Sequence, residues 1–212
     1  LASLNEALLE QAAELRELLG LPGMAPATVR RFRDKLLMKE LLDQAGVCVP
    51  RFTRCDAPEQ VEALLERHGK LVIKPVAGVG SVRVSFIDSA SQLASWYAQT
   101  AHDEWERYEA EEFIDGELYH VNAVVRGGQV LVSGAALYLP GMANIDFRSG
   151  TPLTTVMVED PALKARLDAY SARVLAVLGL EDGVSHLECF VDRADRIVLC
   201  EVGARPPGGG VI

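Results

Sequence analysis

HLECFVDRADRIVLCEVGAR, residues 186–205, decides the fold. Apolar and polar residues alternate on both sides of a polar turn at Arg193-Ala194, the pattern of two antiparallel strands. With Asp192 and Asp195 paired across that turn, Glu188 is expected opposite Leu199, and Glu201 opposite His186. The side-chain period of two then sets His186, Glu188 and Glu201 on one face. The two glutamates become diagonal neighbours, roughly 7–8 Å apart at the backbone. Long carboxylates so spaced can bracket a magnesium ion and leave its other positions to phosphate oxygens and water. The alternative is a pair of acids merely solvated within strands of Val, Leu, Ile, Phe and Cys. Two acids on one face of an otherwise apolar hairpin favour the metal.

Upstream of this hairpin, Asp160 and Pro161 open a helix that turns Leu163, Leu167, Tyr170, Val174 and Val177 inward, and Gly179 closes it. Before that helix, LPGMANIDFRSGTP reads as a long loop. YEAEEFI and ELYHVNAVVR read as strands, and Gly127-Gly128 turns the second back into QVLVSGAALY. In EEFIDGELY, Glu111 and Phe113 fall on one face and Glu112 and Ile114 on the other. Such acids beside apolar residues can contact an adenine amine and ribose hydroxyls, or can form a solvated strand edge.

Further back, VIKPVAGVGS places Lys74 at a strand end ahead of Gly78, Gly80 and Ser81. One cation and a run of backbone N–H groups suit a polyphosphate, and glycines let the backbone approach it closely. A plain hairpin turn with a surface lysine has the same appearance. Because the lysine precedes the glycines, this is neither a Walker loop nor a Rossmann fingerprint. Three helices are expected earlier in the chain. The first covers 4–19, with Leu8, Ala12, Leu15 and Leu19 in one stripe; the second is capped by Asp34; the third is capped by Asp56 and ended by Gly69. A further helix starts near Ser89.

Helices thus alternate with antiparallel strand pairs, so the fold class is α+β. Residues 1–49 form an N-terminal helical linker segment, 50–115 a small lobe and 116–212 a larger lobe. A small ligand is expected in the cleft between the two lobes.

The 212 residues carry a formal charge of -9, which disfavours nucleic acid as the main partner. Cys48, Cys55, Cys189 and Cys200 show no C-x-x-C spacing, and small buried thiols in a reducing, cytoplasmic setting are expected. No apolar run approaches the roughly 20 residues of a membrane span. The chain starts at Leu1 without methionine and stops in a glycine run, as a piece of something longer would.

In order along the chain, the RDK helix start, VIKP with its glycine loop, EEFIDG and the HLE…EVGARPPGGG close resemble the ATP-grasp superfamily. The resemblance implies two α+β lobes with nucleotide between them, and ATP with Mg2+ (or Mn2+) as cofactors. It implies that Lys35 and Lys74 hold phosphates and that Glu188 and Glu201 hold the metal. The hinge against adenine would be Glu111 with the backbone of Glu112, Phe113 and Ile114. Arg205 matches an arginine that steadies the transferred phosphoryl group or the substrate acid. Ribose is usually held by an acid two residues after the hinge glycine. That position here is Leu118, and Glu117 stands as its substitute. Gly203 replaces a usual asparagine, and Val82-Arg83 follow Ser81 where a last glycine is usual. His186 is a candidate for substrate contact or proton transfer, or else a histidine bonded within the sheet.

The closing pattern is most similar to carboxylate–amine ligases of the amino-acid type. Their reaction activates a carboxylate as an acyl phosphate for attack by an amine, releasing ADP and phosphate. Small carboxylic acids and amines are then the partners, with no nucleic acid or membrane, and a homodimer is among the allowed assemblies. Two alternatives stand: bicarbonate activation as in biotin carboxylase and carbamoyl phosphate synthetase, or a non-catalytic nucleotide-binding module. Family members usually carry an N-terminal α/β domain before the first helix and further strands after the final glycines.

Overall fold

The structure is a computed structural model that describes residues 3–78, 80–141, 150 and 152–208. Its helices are α1 (Leu9–Leu18), α2 (Pro26–Arg33), α3 (Lys35–Gln44), α4 (Pro58–His68), α5 (Ala90–Gln99) and α6 (Pro161–Leu178). Its strands are β1 (Phe52–Arg54), β2 (Leu71–Pro75), β3 (Ser85–Ile87), β4 (Tyr108–Glu112), β5 (Gly116–Arg126), β6 (Gln129–Tyr138), β7 (Thr155–Met157), β8 (Gly183–Asp192) and β9 (Ile197–Gly203). Two antiparallel sheets result, one in the order β1-β4-β2-β3 and one in the order β7-β6-β5-β8-β9. The α+β reading holds.

Each sheet has its own apolar core. The smaller buries Val61 and Leu65 of α4 and Leu93 of α5 against Leu71, Ile73 and Ala110. The larger packs Tyr119, Val121 and Ala123 of β5 and Leu187 and Cys189 of β8 against Met38 and Leu42 of α3 and Leu167 and Val174 of α6. Odd-numbered positions of β5 and β8 therefore face the helices. Even-numbered ones, Leu118, His120 and Asn122 with His186, Glu188 and Phe190, are left to the opposite face.

Local signals account for most boundaries. Asp34 accepts from the N–H groups of Leu36 and Leu37, and Gly179 ends α6 in a left-handed conformation. Gly127 and Gly128, both left-handed, turn β5 into β6 as expected.

Three details differ from the sequence reading. The buried face of α1 is Leu9, Ala13 and Arg16, while Leu8, Leu15 and Leu19 are exposed. Leu9 and Ala13 pack against Val29 and Met24, and Arg16 on the same face donates to the Met24 carbonyl at 3.3 Å. Helix α2, with Pro26 in its first turn, occupies a stretch between the first helix and the Asp34 cap to which the sequence reading assigned no element. Helix α4 starts one residue later than the Asp56 cap implied, with Ala57 at the cap and Pro58 following.

The register of the closing hairpin is the fourth and largest difference. Asp192 pairs with Arg196, because its carboxylate accepts from the N–H groups of Ala194 and Arg196 and Asp195 takes a left-handed angle. A bulge follows: Cys189 lies opposite Leu199, but Glu188 lies opposite Glu201. Cys200 is the extra residue. The two glutamates are therefore directly opposed across the ladder and not diagonal, and they still share a face.

Candidate functional site

A cavity of about 500 Å³ lies between the two sheets. The small sheet contributes Val72, Lys74, Glu111 and Glu112 to its wall, and the large one contributes Leu118, Tyr138, Glu188, Phe190 and Glu201. Gly78, Gly80, Ser81, Phe113 and Ile114 line it from the connecting segments, Glu117 from the start of β5 and Lys35 from the start of α3. Twelve of the fourteen residues singled out in the sequence thus meet in one space. Arg205 and His186 instead line a small adjoining cavity that shares Lys35 and Glu201 with the first.

The charges within are ordered. Lys35 Nζ is 3.3 Å from Glu201, and Lys74 Nζ is 2.6 Å from Glu111 and donates to the Cys200 carbonyl at 3.3 Å. Lys74 therefore crosses from β2 of one sheet to β9 of the other. Burial pulls its pKa down, but Glu111 leads the negative groups that outweigh burial and hold it above the ordinary lysine value. For Glu111, burial pushes the pKa up, and Lys39 and Lys74 together bring it below the usual carboxylate range. Glu201 follows the same pattern, with Lys35 and Lys74 as its main counter-charges.

Lys39 and Glu109 escaped the sequence reading. Lys39 is fully buried, donates to Glu109 at 2.8 Å and also bonds Glu111. Its signal was its position: one turn after Lys35 on α3, on the face that buries Leu42. Glu109 sits two residues before Glu111, so alternation puts both on one side of β4.

The described part of the glycine loop turns sharply. Gly80, Ser81 and Arg83 all have left-handed angles, and Arg83 stands where the usual glycine is missing. In the hinge segment, the Glu112 side chain points away to the Arg51 N–H and to His68, and the Lys70 ammonium lies 3.7 Å from the centre of the Phe113 ring. The FIDG glycine has a steric reason. A Cβ on Gly116 would meet the Val191 carbonyl oxygen at 2.5 Å, so only glycine lets β5 approach β8 at the cavity's edge. Glu117 accepts from the Tyr119 hydroxyl at 2.9 Å.

On the face of the large sheet, His186 Nδ1 lies 2.7 Å from Asn122 Oδ1 and its Nε2 lies 3.5 Å from Glu188. The histidine is thus bonded within the sheet, with Glu188 beside it. His120, directly across from Glu188, is buried, and burial followed by the neighbouring His186 brings its pKa down to about 4. Among the described residues no cluster of three His, Cys, Asp or Glu groups suits a metal. Two opposed carboxylates fit magnesium, which commonly takes one or two from the protein and the rest from phosphates and water. Among the described residues no helix is long and apolar enough to cross a membrane.

A family model described as an ATP-grasp domain matches residues 68–212. The chain belongs to the ATP-grasp family. It is 24% identical over 207 residues to the L-arginine-specific L-amino acid ligase of Bacillus subtilis, an alignment covering 93% of this chain and 49% of that protein. A D-alanine–D-alanine ligase of Bordetella petrii is 33% identical over 103 residues, covering 47% of this chain and 31% of the ligase. Among solved structures, an L-amino acid ligase from Bacillus licheniformis superposes with a TM-score of 0.79 at 25% identity, covering 99% of this chain and 50% of that one. The biotin carboxylase domain of a Hydrogenobacter thermophilus 2-oxoglutarate carboxylase, in complex with MgADP and bicarbonate, also gives 0.79, at 16% identity, with 96% and 47% covered. The chain spans about half the length of the L-arginine-specific ligase.

Proposed function

We propose that this ATP-grasp chain is the nucleotide-binding core of a carboxylate–amine ligase acting on amino acids. One observation carries the reading: Glu188 and Glu201 face each other at the wall of a cavity that Lys35 and Lys74 also line. Lys35, Lys74 and the loop amides hold the triphosphate, and the backbone from Glu112 to Ile114 and Glu117 hold the nucleoside. Glu111 acts through Lys74, whose ammonium it fixes. Glu188 and Glu201 would hold magnesium, which would supply charge neutralisation at the phosphates when bound. Residues 50–115 close as a lid over 116–212.

A substrate carboxylate attacks the terminal phosphorus, the bond to ADP breaks, and the resulting acyl phosphate is taken by an amine with loss of phosphate. The residues contribute positioning and charge. Arg205 meets the transferred phosphoryl group. Nothing basic in EEFIDGELY would hold a carboxylate beside the α-phosphate, which argues against adenylation. The setting we propose is cytoplasmic.

Binding is tested first on this chain. Mg-ADP in hundredfold excess over Kd should stabilise it by roughly 2.7 kcal/mol, and Lys74→Ala should remove most of the rise in melting temperature. No rise at millimolar Mg-nucleotide would refute the reading. For the reaction, the full-length protein is screened with amino acids, and hydroxylamine should trap a hydroxamate as ADP accumulates. AMP and pyrophosphate as products would exclude an acyl phosphate, and phosphate release that needs bicarbonate but no amino acid would favour carboxylase chemistry.

A further inference from the structure

The carboxylate of Glu6, in the single 3-10 turn before α1, is shared by two arginines from distant parts of the chain. Glu6 Oε1 accepts from Arg33 at 2.6 Å, and Oε2 accepts from Arg205 Nε at 2.5 Å. The three side chains are only 12–18% exposed. Arg205 donates through Nη1 to the Pro206 carbonyl at 2.8 Å, which fixes a second point of its guanidinium. Glu6, Arg205 and Glu201 then share the wall of the smaller cavity, about 10 Å³ in volume.

Arg33 ends α2 and Arg205 follows β9, so nothing local holds them together. Two partly buried guanidinium groups repel, and the shared Glu6 carboxylate offsets that repulsion. A guanidinium held at two points has surrendered its rotamer freedom before any ligand arrives. We infer that Glu6 is a positioning residue, which holds the Arg205 guanidinium beside the metal carboxylates in the orientation needed to receive the terminal phosphoryl group. The N-terminal segment is thereby a working part of the site and not only a linker. The inference rests on the assignment of Arg205 made above.

The experiment is calorimetric titration of this chain with Mg-ADP and with Mg-AMPPNP, which differ by the terminal phosphoryl group. Glu6→Gln, Arg205→Ala and the double variant are compared with the wild type. Arg205→Ala should weaken AMPPNP binding roughly tenfold, the scale of one lost charge-assisted hydrogen bond, and leave ADP binding within about twofold. Glu6→Gln should reproduce about threefold or more of that loss and should have no further effect once Arg205 is alanine. If Glu6→Gln fails to fold, Glu6→Asp keeps the charge, shortens the reach and should give the same selective loss. Unchanged AMPPNP binding in the Glu6 variants, with Arg205→Ala impaired, overturns the inference alone. An equal Glu6 effect with and without Arg205 also overturns it, since Glu6 would then act elsewhere. Unchanged binding in Arg205→Ala overturns both the inference and the role given to Arg205.

Discussion

Replacing Lys39 by methionine tests whether the buried charge cluster is a true unit of stability. The substitution keeps length and apolar bulk but removes a fully buried ammonium that bonds both Glu109 and Glu111. The two acids do not suffer equally. Glu111 keeps Lys74 at 2.6 Å, whereas Glu109 is left with Lys74 at 4.0 Å. Glu109 is fully buried, and its other oxygen already has no hydrogen-bond partner among the described residues. Removing one member of a buried pair costs about 3–5 kcal/mol, because the remaining charge is stranded. For a chain of this size that is a fall of roughly 10 °C in melting temperature. Adding Glu109→Gln to Lys39→Met removes the stranded charge and should restore about half of the loss. The assay is thermal and urea unfolding of the three variants without nucleotide. A Lys39→Met melt within about 2 °C of wild type, or a double variant no better than the single, would refute the reasoning.

Two further outcomes follow from the same geometry. Gly116→Ala should destabilise the chain by more than about 3 kcal/mol, since the clash at 2.5 Å is with backbone that cannot move without breaking the β5–β8 ladder; denaturant titration checks this. Glu111 has a folded pKa below its unfolded value near 4.5, so its contribution is complete above that value and is lost as pH falls through the lower folded one. Melting temperature should accordingly fall as pH is lowered below the unfolded value, and Glu111→Gln should flatten that slope; an unchanged slope would show that other groups control it.

How much could be read beforehand depended on how local the cause was. Period-two alternation was enough to put Glu188 and Glu201 on one face, and caps and glycines located α3, the end of α6 and the β5–β6 turn. The exact register was not legible, because it depends on the Asp192 carboxylate and one left-handed residue in the turn. Leucine periodicity misplaced the buried face of α1, where a hydrogen-bonded arginine won the inward position. Lys39 was passed over because a lysine on a helix is ordinarily assigned to solvent. Its partners arrive from a strand about 70 residues later, and no spacing along the chain announces them. The Glu6–Arg205 contact, between positions 199 apart in the sequence, is hidden for the same reason.

The bulge at Cys200 has a bearing on how this hairpin can vary. One extra residue brings Glu201 level with Glu188 and also supplies the carbonyl that receives Lys74 from the other sheet. Both depend on a count of residues and neither on the Cys200 side chain. Arg193 at the tip makes an exposed ion pair with Asp115, worth little, so its identity matters little, while losing or gaining a single residue between Cys189 and Glu201 would separate the acids and misdirect the lysine together. Length, together with the Asp192–Asp195 turn that sets the register, is what selection would have to guard in this stretch.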